Sequence, residues 1–378
     1  MRKTMQLNNS GKTRIACTAG RIGLFFGAAG LLLRAAARML PRAAELHRTY
    51  INAFWVNTLG RLFSPVPFSV AEMLIYAGIV FVLLWLVGLL SQLVRKLFRK
   101  PDRFCGILKN GLSMVLLLAG VIFYLYESGE DAEFFTQPMT EKYELFRGSY
   151  TTEELAEVCR KTVLLCNEEA EKVSRDERGL MVTDERAGDR ARRALSALQE
   201  HFPEYKGYIP RPKPVQFSAL MSYTGLAGIW TAFTEEANYN RDMTAYNIPF
   251  TMCHELSHAK GILPENEANF FAWLACSLAE DADFRYSAAM TAWVYCGNEL
   301  YKRDQALWKE LGRELDERVQ KDLLANNAFW KQYEGKTMER AESLNDAYLK
   351  GKGIESGSGS YEEVVDLLVT WEMRTAEP

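Results

Sequence analysis

The sequence predicts a mainly α protein in two parts, N-terminal transmembrane helices followed by an α+β domain with a small sheet. Three observations carry this. Two almost uncharged apolar runs lie within residues 70–126. Residues 1–126 hold 16 Lys/Arg against 3 Asp/Glu, whereas the rest holds 29 against 45. The pentapeptide His-Glu-Leu-Ser-His occupies residues 254–258, well inside the acidic part. A basic, apolar first third joined to an acidic, polar remainder is the pattern of a membrane anchor carrying a separate domain. No basic stripe with interleaved aromatics is present, which argues against a nucleic-acid partner.

Residues 73–90 (MLIYAGIVFVLLWLVGLL) contain no charge and, extended to Val94, are long enough to cross a hydrocarbon core. Residues 106–126 form a second span, with Lys109 snorkelling to the interface. Residues 15–38 are a third, weaker candidate, interrupted by Arg21 and Arg34. Topology argues for it. The loop RKLFRKPDR (95–103) carries five Lys/Arg and one Asp, so it belongs on the cytoplasmic side. The basic N-terminus belongs there too, and both conditions hold only if the first segment also crosses. The expected organisation is a membrane anchor over 1–126, with spans at about 15–38, 70–94 and 106–126, and an extracytoplasmic domain over 127–378. Residues 41–68 then form an external loop, in which Leu46, Tyr50, Phe54 and Trp55 are spaced for an amphipathic helix on the bilayer.

Beyond the spans, Thr151 and Glu154 form a capping-box pattern ahead of a helix reaching about Val173. Residues 185–201 read as a second helix. The Pro- and Gly-rich run YKGYIPRPKPVQFSALM reads as a loop entering an extended stretch. Part of residues 226–239 reads as a strand, centred on Trp230 to Glu236. A helix beginning near Ile248 and Pro249 should carry the His-Glu-Leu-Ser-His motif and stop at Gly261. A second should start around Glu265, and residues 283–349 are almost wholly helical in pattern. Residues 353–360 (GIESGSGS) read as a flexible loop before a last helix over 361–372. The seven cysteines are scattered, odd in number and without a C-x-x-C pair, which fits buried thiols and no disulfide framework.

The motif carries the chemistry. The chain has four histidines, His47, His201, His254 and His258. With glutamate at roughly a tenth of positions, H-E-x-x-H would arise by accident about 0.004 times in such a chain. On a helix the spacing stacks His254 and His258 on one face, the arrangement that holds Zn2+ in metallopeptidases, with Glu255 as general base. A hydrolytic site needs a third protein ligand and an open position for water. The histidine that metzincins use would fall at position 264, which is Pro264. An acid from the next helix remains. Glu267 fits best, because Ala268, Phe271 and Ala275 can pack that helix on the first while Glu267 projects to the metal. Glu265 would lie about 200° away around the helix and face solvent. Glu280 and Asp283 are more distant alternatives. Oxyanion donors could be His201, Tyr286 or Tyr348, and Glu236, Asn238, Asn240 and Asn269 are suited to orient the imidazoles. A strand just before the motif helix could add backbone hydrogen bonds to a peptide substrate.

The segments FTEEANYN (233–240), TMCHELSHAKG (251–261), ENEANFFAWLAC (265–276) and FRYSA (284–288) resemble an uncharacterised bacterial family of membrane proteins, placed near the zincin-like metallopeptidases. PFSVAEMLIY (67–76), NDAYLKGKG (345–353) and SYEEVVDLL (360–368) fit it as well. The resemblance implies a gluzincin-like zinc site with Glu267 as third ligand, and no substrate. The function expected is a multi-pass, membrane-anchored zinc metallopeptidase acting on peptide or protein outside the membrane. The competing reading is a non-catalytic zincin-fold protein that binds a partner or senses a signal. Glu255 speaks against the latter, since a purely structural zinc site does not need a carboxylate beside its histidines.

Overall fold

A computed structural model describes residues 2–98, 103–146, 148–352, 354 and 363–376. Residues 99–102 of the basic loop, all of the 353–360 loop except Ile354, and residues 361–362 of the last expected helix lie outside the described residues. The chain is mainly helical with one three-stranded sheet.

The membrane part is built from α1 (Arg2–Met39), α5 (Val70–Leu97) and α6 (Phe104–Gly129). Each contains a stretch long and apolar enough to cross a membrane. Helices α1 and α6 cross closely where Gly23 meets the backbone of Leu116 and Gly120 meets that of Gly23, so a Cβ at either glycine would strike main chain. Helix α6 runs three residues past the expected end at 126 and continues as a 3-10 turn, Asp131–Phe135.

Between α1 and α5 the chain is helical from 41 to 63. Short α-helices α2 (Pro41–Leu46), α3 (Ala53–Trp55) and α4 (Arg61–Phe63) are joined by wider π-type turns at His47–Asn52 and Val56–Gly60. The expected amphipathic helix is there, but its inner face carries polar His47 and Asn52 as well as Val56 and Gly60.

Helix α7 (Met139–Lys142) leads into the second part. Helix α8 (Thr152–Ala170) starts at the predicted capping box, with Thr151 Oγ1 accepting from Glu154 N at 3.1 Å and Glu154 Oε2 from Thr151 N at 2.7 Å. It is followed by α9 (Ala187–Ala197), β1 (Lys213–Val215) and α10 (Ser218–Tyr223). The strand expected around 230–236 is a hairpin instead: β2 (Gly228–Thr231) and β3 (Glu236–Asn240) pair antiparallel, and residues 232–235 make the turn. The turn needs a left-handed residue, which is Glu235 at φ +52°. β1 pairs parallel with β3, so the sheet order is β1-β3-β2 and β2 is an edge.

The motif helix α11 (Asn247–Ala259) packs against β2 and β3 and against the following helix, α12 (Glu265–Ser277). The long helical stretch that follows breaks into α13 (Ala282–Arg303), α14 (Gln305–Arg313), α15 (Glu317–Lys331) and α16 (Lys336–Gly351), and α17 (Val364–Ala376) closes the chain. Asp304 and Asp316 cap α14 and α15, which is why the pattern is interrupted there. The core lies where α8, α12, α13 and α17 meet, around Leu155, Phe270, Phe271, Phe284 and Leu368.

The sheet is bolted to the membrane helices. Glu236, at the start of β3, accepts from Val70 N (3.0 Å) and Ala71 N (2.8 Å) in the first turn of α5 and pairs with buried Lys213 of β1. Glu72 returns the connection, accepting from Gln216 N and Phe217 N at 2.8 Å each. A carboxylate at a helix N-terminus meets both the dipole and unsatisfied N–H groups, so these contacts fix the sheet against the end of a span.

Candidate metal centre

Helix α11 can start where it does because Pro249 needs no amide partner and Ser287 Oγ accepts from Phe250 N at 3.1 Å. One turn further on, His254 and His258 meet edge to face, with ring centroids 4.6 Å apart and Nε2 atoms 3.0 Å apart. The helix ends at Gly261 (φ +79°) in a Schellman turn. Ile262 N donates to Ser257 O at 3.1 Å and Gly261 N to His258 O at 2.9 Å. This turn brings the Ile262 carbonyl to 2.9 Å from His258 Nδ1. A carbonyl can only accept, so Nδ1 carries the proton and Nε2 keeps its lone pair for a metal.

The chain then reverses through Leu263 and Pro264 into α12. Glu265, its first residue, puts Oε2 3.3 Å from His254 Nε2 and 3.8 Å from His258 Nε2. Donor atoms of His254, His258 and Glu265 all lie within 4.8 Å of one another. The structure therefore brings Glu265, and not Glu267, together with the two histidines. Helical side chains lean toward the N-terminus, so a residue in the first position reaches back over the end of α11. Glu267 faces the other way. Its Oε1 accepts from Thr140 N (2.6 Å) and Thr140 Oγ1 (2.7 Å), so it caps the short helix α7 and stays buried.

Glu255 points toward the sheet. Its carboxyl accepts the backbone N–H of Trp230, and it lies so close to Gly228 that a Cβ there would overlap it. The edge strand β2 thus holds the residue beside the first histidine. Burial pushes the Glu255 carboxyl up to about 8, opposed by the neighbouring His254 charge. Burial and the charge of His254 pull His258 down to about 4. Burial works against charge on His254 as well, but the Glu265 carboxylate outweighs it and raises that imidazole.

Asn269, one turn along α12 from Glu265, is close enough to His254 to raise its imidazole slightly, but His254 Nδ1 and Asn269 Nδ2 make no hydrogen bond. Glu236, Asn238 and Asn240 do not serve the imidazoles. Asn238 Nδ2 donates to Glu236 O at 3.1 Å, and Asn240 Nδ2 to Ser222 Oγ at 2.9 Å, which stiffens the sheet. Of the oxyanion candidates, His201 is exposed and Tyr286 donates to Asp322 at 2.7 Å in a separate buried cluster with Arg175. Asp283 pairs with Arg190 at 2.5 Å. Tyr348 donates to Glu130, at the end of α6.

Sequence reasoning missed Tyr295 of α13. Burial and the charge of Glu265 both raise its phenol, and its ring lies 6.5 Å from that of Phe250, which stacks on His254. No local pattern marks a tyrosine thirty residues from its neighbour.

The donor set is two imidazole nitrogens and one carboxylate oxygen, with one tautomer fixed by a carbonyl. That chemistry fits Zn2+ with a fourth position left over.

The chain belongs to the family described as "Protein of unknown function (DUF3810)", whose model matches residues 47–369. No curated protein and no solved structure matches the chain. The match takes in both strong spans, the sheet and the whole His254–His258–Glu265 cluster.

Proposed function

We propose that this protein is a membrane-anchored zinc metallopeptidase of the gluzincin type, with its site outside the cytoplasm. The observation that carries this is the convergence of His254 Nε2, His258 Nε2 and Glu265 Oε2 beside a buried glutamate that is not one of the three. Bound zinc would supply a water acidified to about pKa 7 and a Lewis acid for the substrate carbonyl. The protein's own groups supply the rest. Glu255, buried beside the three ligands, takes the proton of the attacking water and returns it to the leaving amine. The free edge of β2, which has no second strand partner among the described residues, offers backbone groups to an extended peptide beside Glu255. Tyr295, whose ring lies 6.5 Å from the Phe250 that stacks on His254, is a candidate phenol to donate to a developing oxyanion. The charge split and the basic loop at 95–103 support the extracytoplasmic orientation.

The test compares the purified full chain with Glu255→Gln. Both should bind one zinc per chain by elemental analysis, and loss of the base should lower cleavage of a mixed peptide library by about 10²–10⁴-fold. Zinc in both with cleavage in neither would favour the non-catalytic reading. Absence of zinc from both would end both readings.

A further inference from the structure

We propose that the surface running from α10 to β2, beside the candidate metal site, lies in the membrane interface, and that the site acts on polypeptide held at the bilayer surface. The first half is independent of the chemistry. The second rests on the metallopeptidase reading.

Depth is set by α5. Its 28 residues span about 42 Å at about 1.5 Å each, against a hydrocarbon core of about 30 Å. One end or both must therefore project into the headgroup layer. Glu72, in the first turn, is buried and accepts from the amides of Gln216 and Phe217. Phe217 is thereby fixed beside the end of the span. From there α10 turns Ser218, Met221 and Ser222 inward and leaves Phe217, Leu220 and Tyr223 outward, at 59%, 60% and 51% exposure. The apolar row continues through exposed Leu226 to Ile229 on β2, next to the Gly228 that touches Glu255.

A second exposed row lies on the segment between α1 and α5. Segment 41–63 exposes Leu46, Tyr50, Phe54 and Leu62, and buries His47 and Asn52 beside Ala44 and Val56. It is fastened to the same sheet, with Phe63 O accepting from Lys213 Nζ at 2.7 Å and Ser64 Oγ from Arg211 N at 2.8 Å. Exposed aromatic and aliphatic rows continuous with a membrane-crossing helix match the interfacial layer of a bilayer, where such side chains concentrate. Lipid is thus the occupant that covers them. A site at that depth receives chains tethered to, or emerging from, the bilayer before it receives chains from bulk water.

The test uses the full chain in liposomes, with Cys17 and the exposed Cys105 replaced by serine. A bimane label is attached at Leu220→Cys, at Phe54→Cys, or at Leu164→Cys on the exposed face of α8. Lipids bearing a headgroup or shallow acyl nitroxide should quench the first two about threefold more than the third. Equal quenching at all three sites, or none at Leu220, overturns the surface assignment and would point to a protein partner there. The substrate arm compares one peptide with and without an N-terminal acyl anchor. The anchored form should be cleaved about tenfold faster on liposomes, through its higher local concentration, and equally fast once detergent disperses it. Equal rates on liposomes overturn the substrate class. Cleavage of neither peptide overturns the metallopeptidase reading with it, while the quenching result still decides the surface.

Discussion

Two regions of this protein bury carboxylates, and they do so in opposite ways. At the junction with the membrane, Glu236 and Glu72 are filled with donors: the first-turn amides of α5, the Lys213 ammonium and the amides of residues 216 and 217. At the motif, Glu265 faces two imidazole nitrogens, one of which is known to present a lone pair. A carboxylate whose hydrogen-bonding capacity is met by backbone N–H groups is a fastener. Acceptors that converge on one another call for a cation. Glu267 belongs with the fasteners, two residues from a glutamate that does not.

The sharpest way to break this comparison is to exchange the two acids of α12. Glu265→Ala should cut zinc affinity by at least about 100-fold, as removal of one of only three protein ligands from an open site implies. Glu267→Ala should leave zinc content intact and instead lower thermal stability, by roughly 1–3 kcal/mol for the Thr140 donors it strands. Metal titration and melting measured on both variants check it, and the reverse pattern would restore Glu267 as the ligand.

A stability effect with no metal readout sharpens the junction side. Glu236→Ala leaves Lys213 buried beside the sheet and uncaps α5, so it should cost roughly 3–5 kcal/mol in chemical unfolding with the zinc stoichiometry unchanged. A change in metal content with no change in stability would contradict the division of roles.

The smallest effect concerns Glu235, buried in the hairpin turn and in neither class. Burial raises its carboxyl well above the ordinary 4.5, opposed only in part by the Trp230 indole N–H. The folded state then holds a proton that the unfolded chain has lost. Its contribution to stability is fully present below about pH 4.5 and is lost as pH rises toward the folded-state value. Glu235→Gln, which keeps the shape without the charge, should gain stability over the wild type progressively from pH 5 to 8, measured by melting across that range.

Periodicity and capping were legible along the chain. The three apolar stretches, the capping box at Thr151, the stop of α11 at Gly261 and the start of α12 at Glu265 all follow from residues a few positions apart. The pairing of His254 with His258 and the neighbouring Glu255 belong to the same class, because one turn of helix is a local object. The hairpin was blurred because its turn, at 232–235, uses Glu235 in a conformation rare for a non-glycine residue.

What local pattern could not decide is what each side chain meets across long stretches of sequence. Thr140 lies 127 residues from Glu267 and holds it away from the histidine pair, while the Schellman turn at Gly261 sets the angle at which Glu265 returns to the histidines. Tyr295 comes near Glu265 only because α13 packs against α11 and α12. Sequence determined the helices, the two imidazoles and the acid beside them, since these depend on bonded neighbours and helical spacing. Tertiary structure alone chose between two glutamates 200° apart on one helix, because that choice depends on which face finds donors and which finds lone pairs.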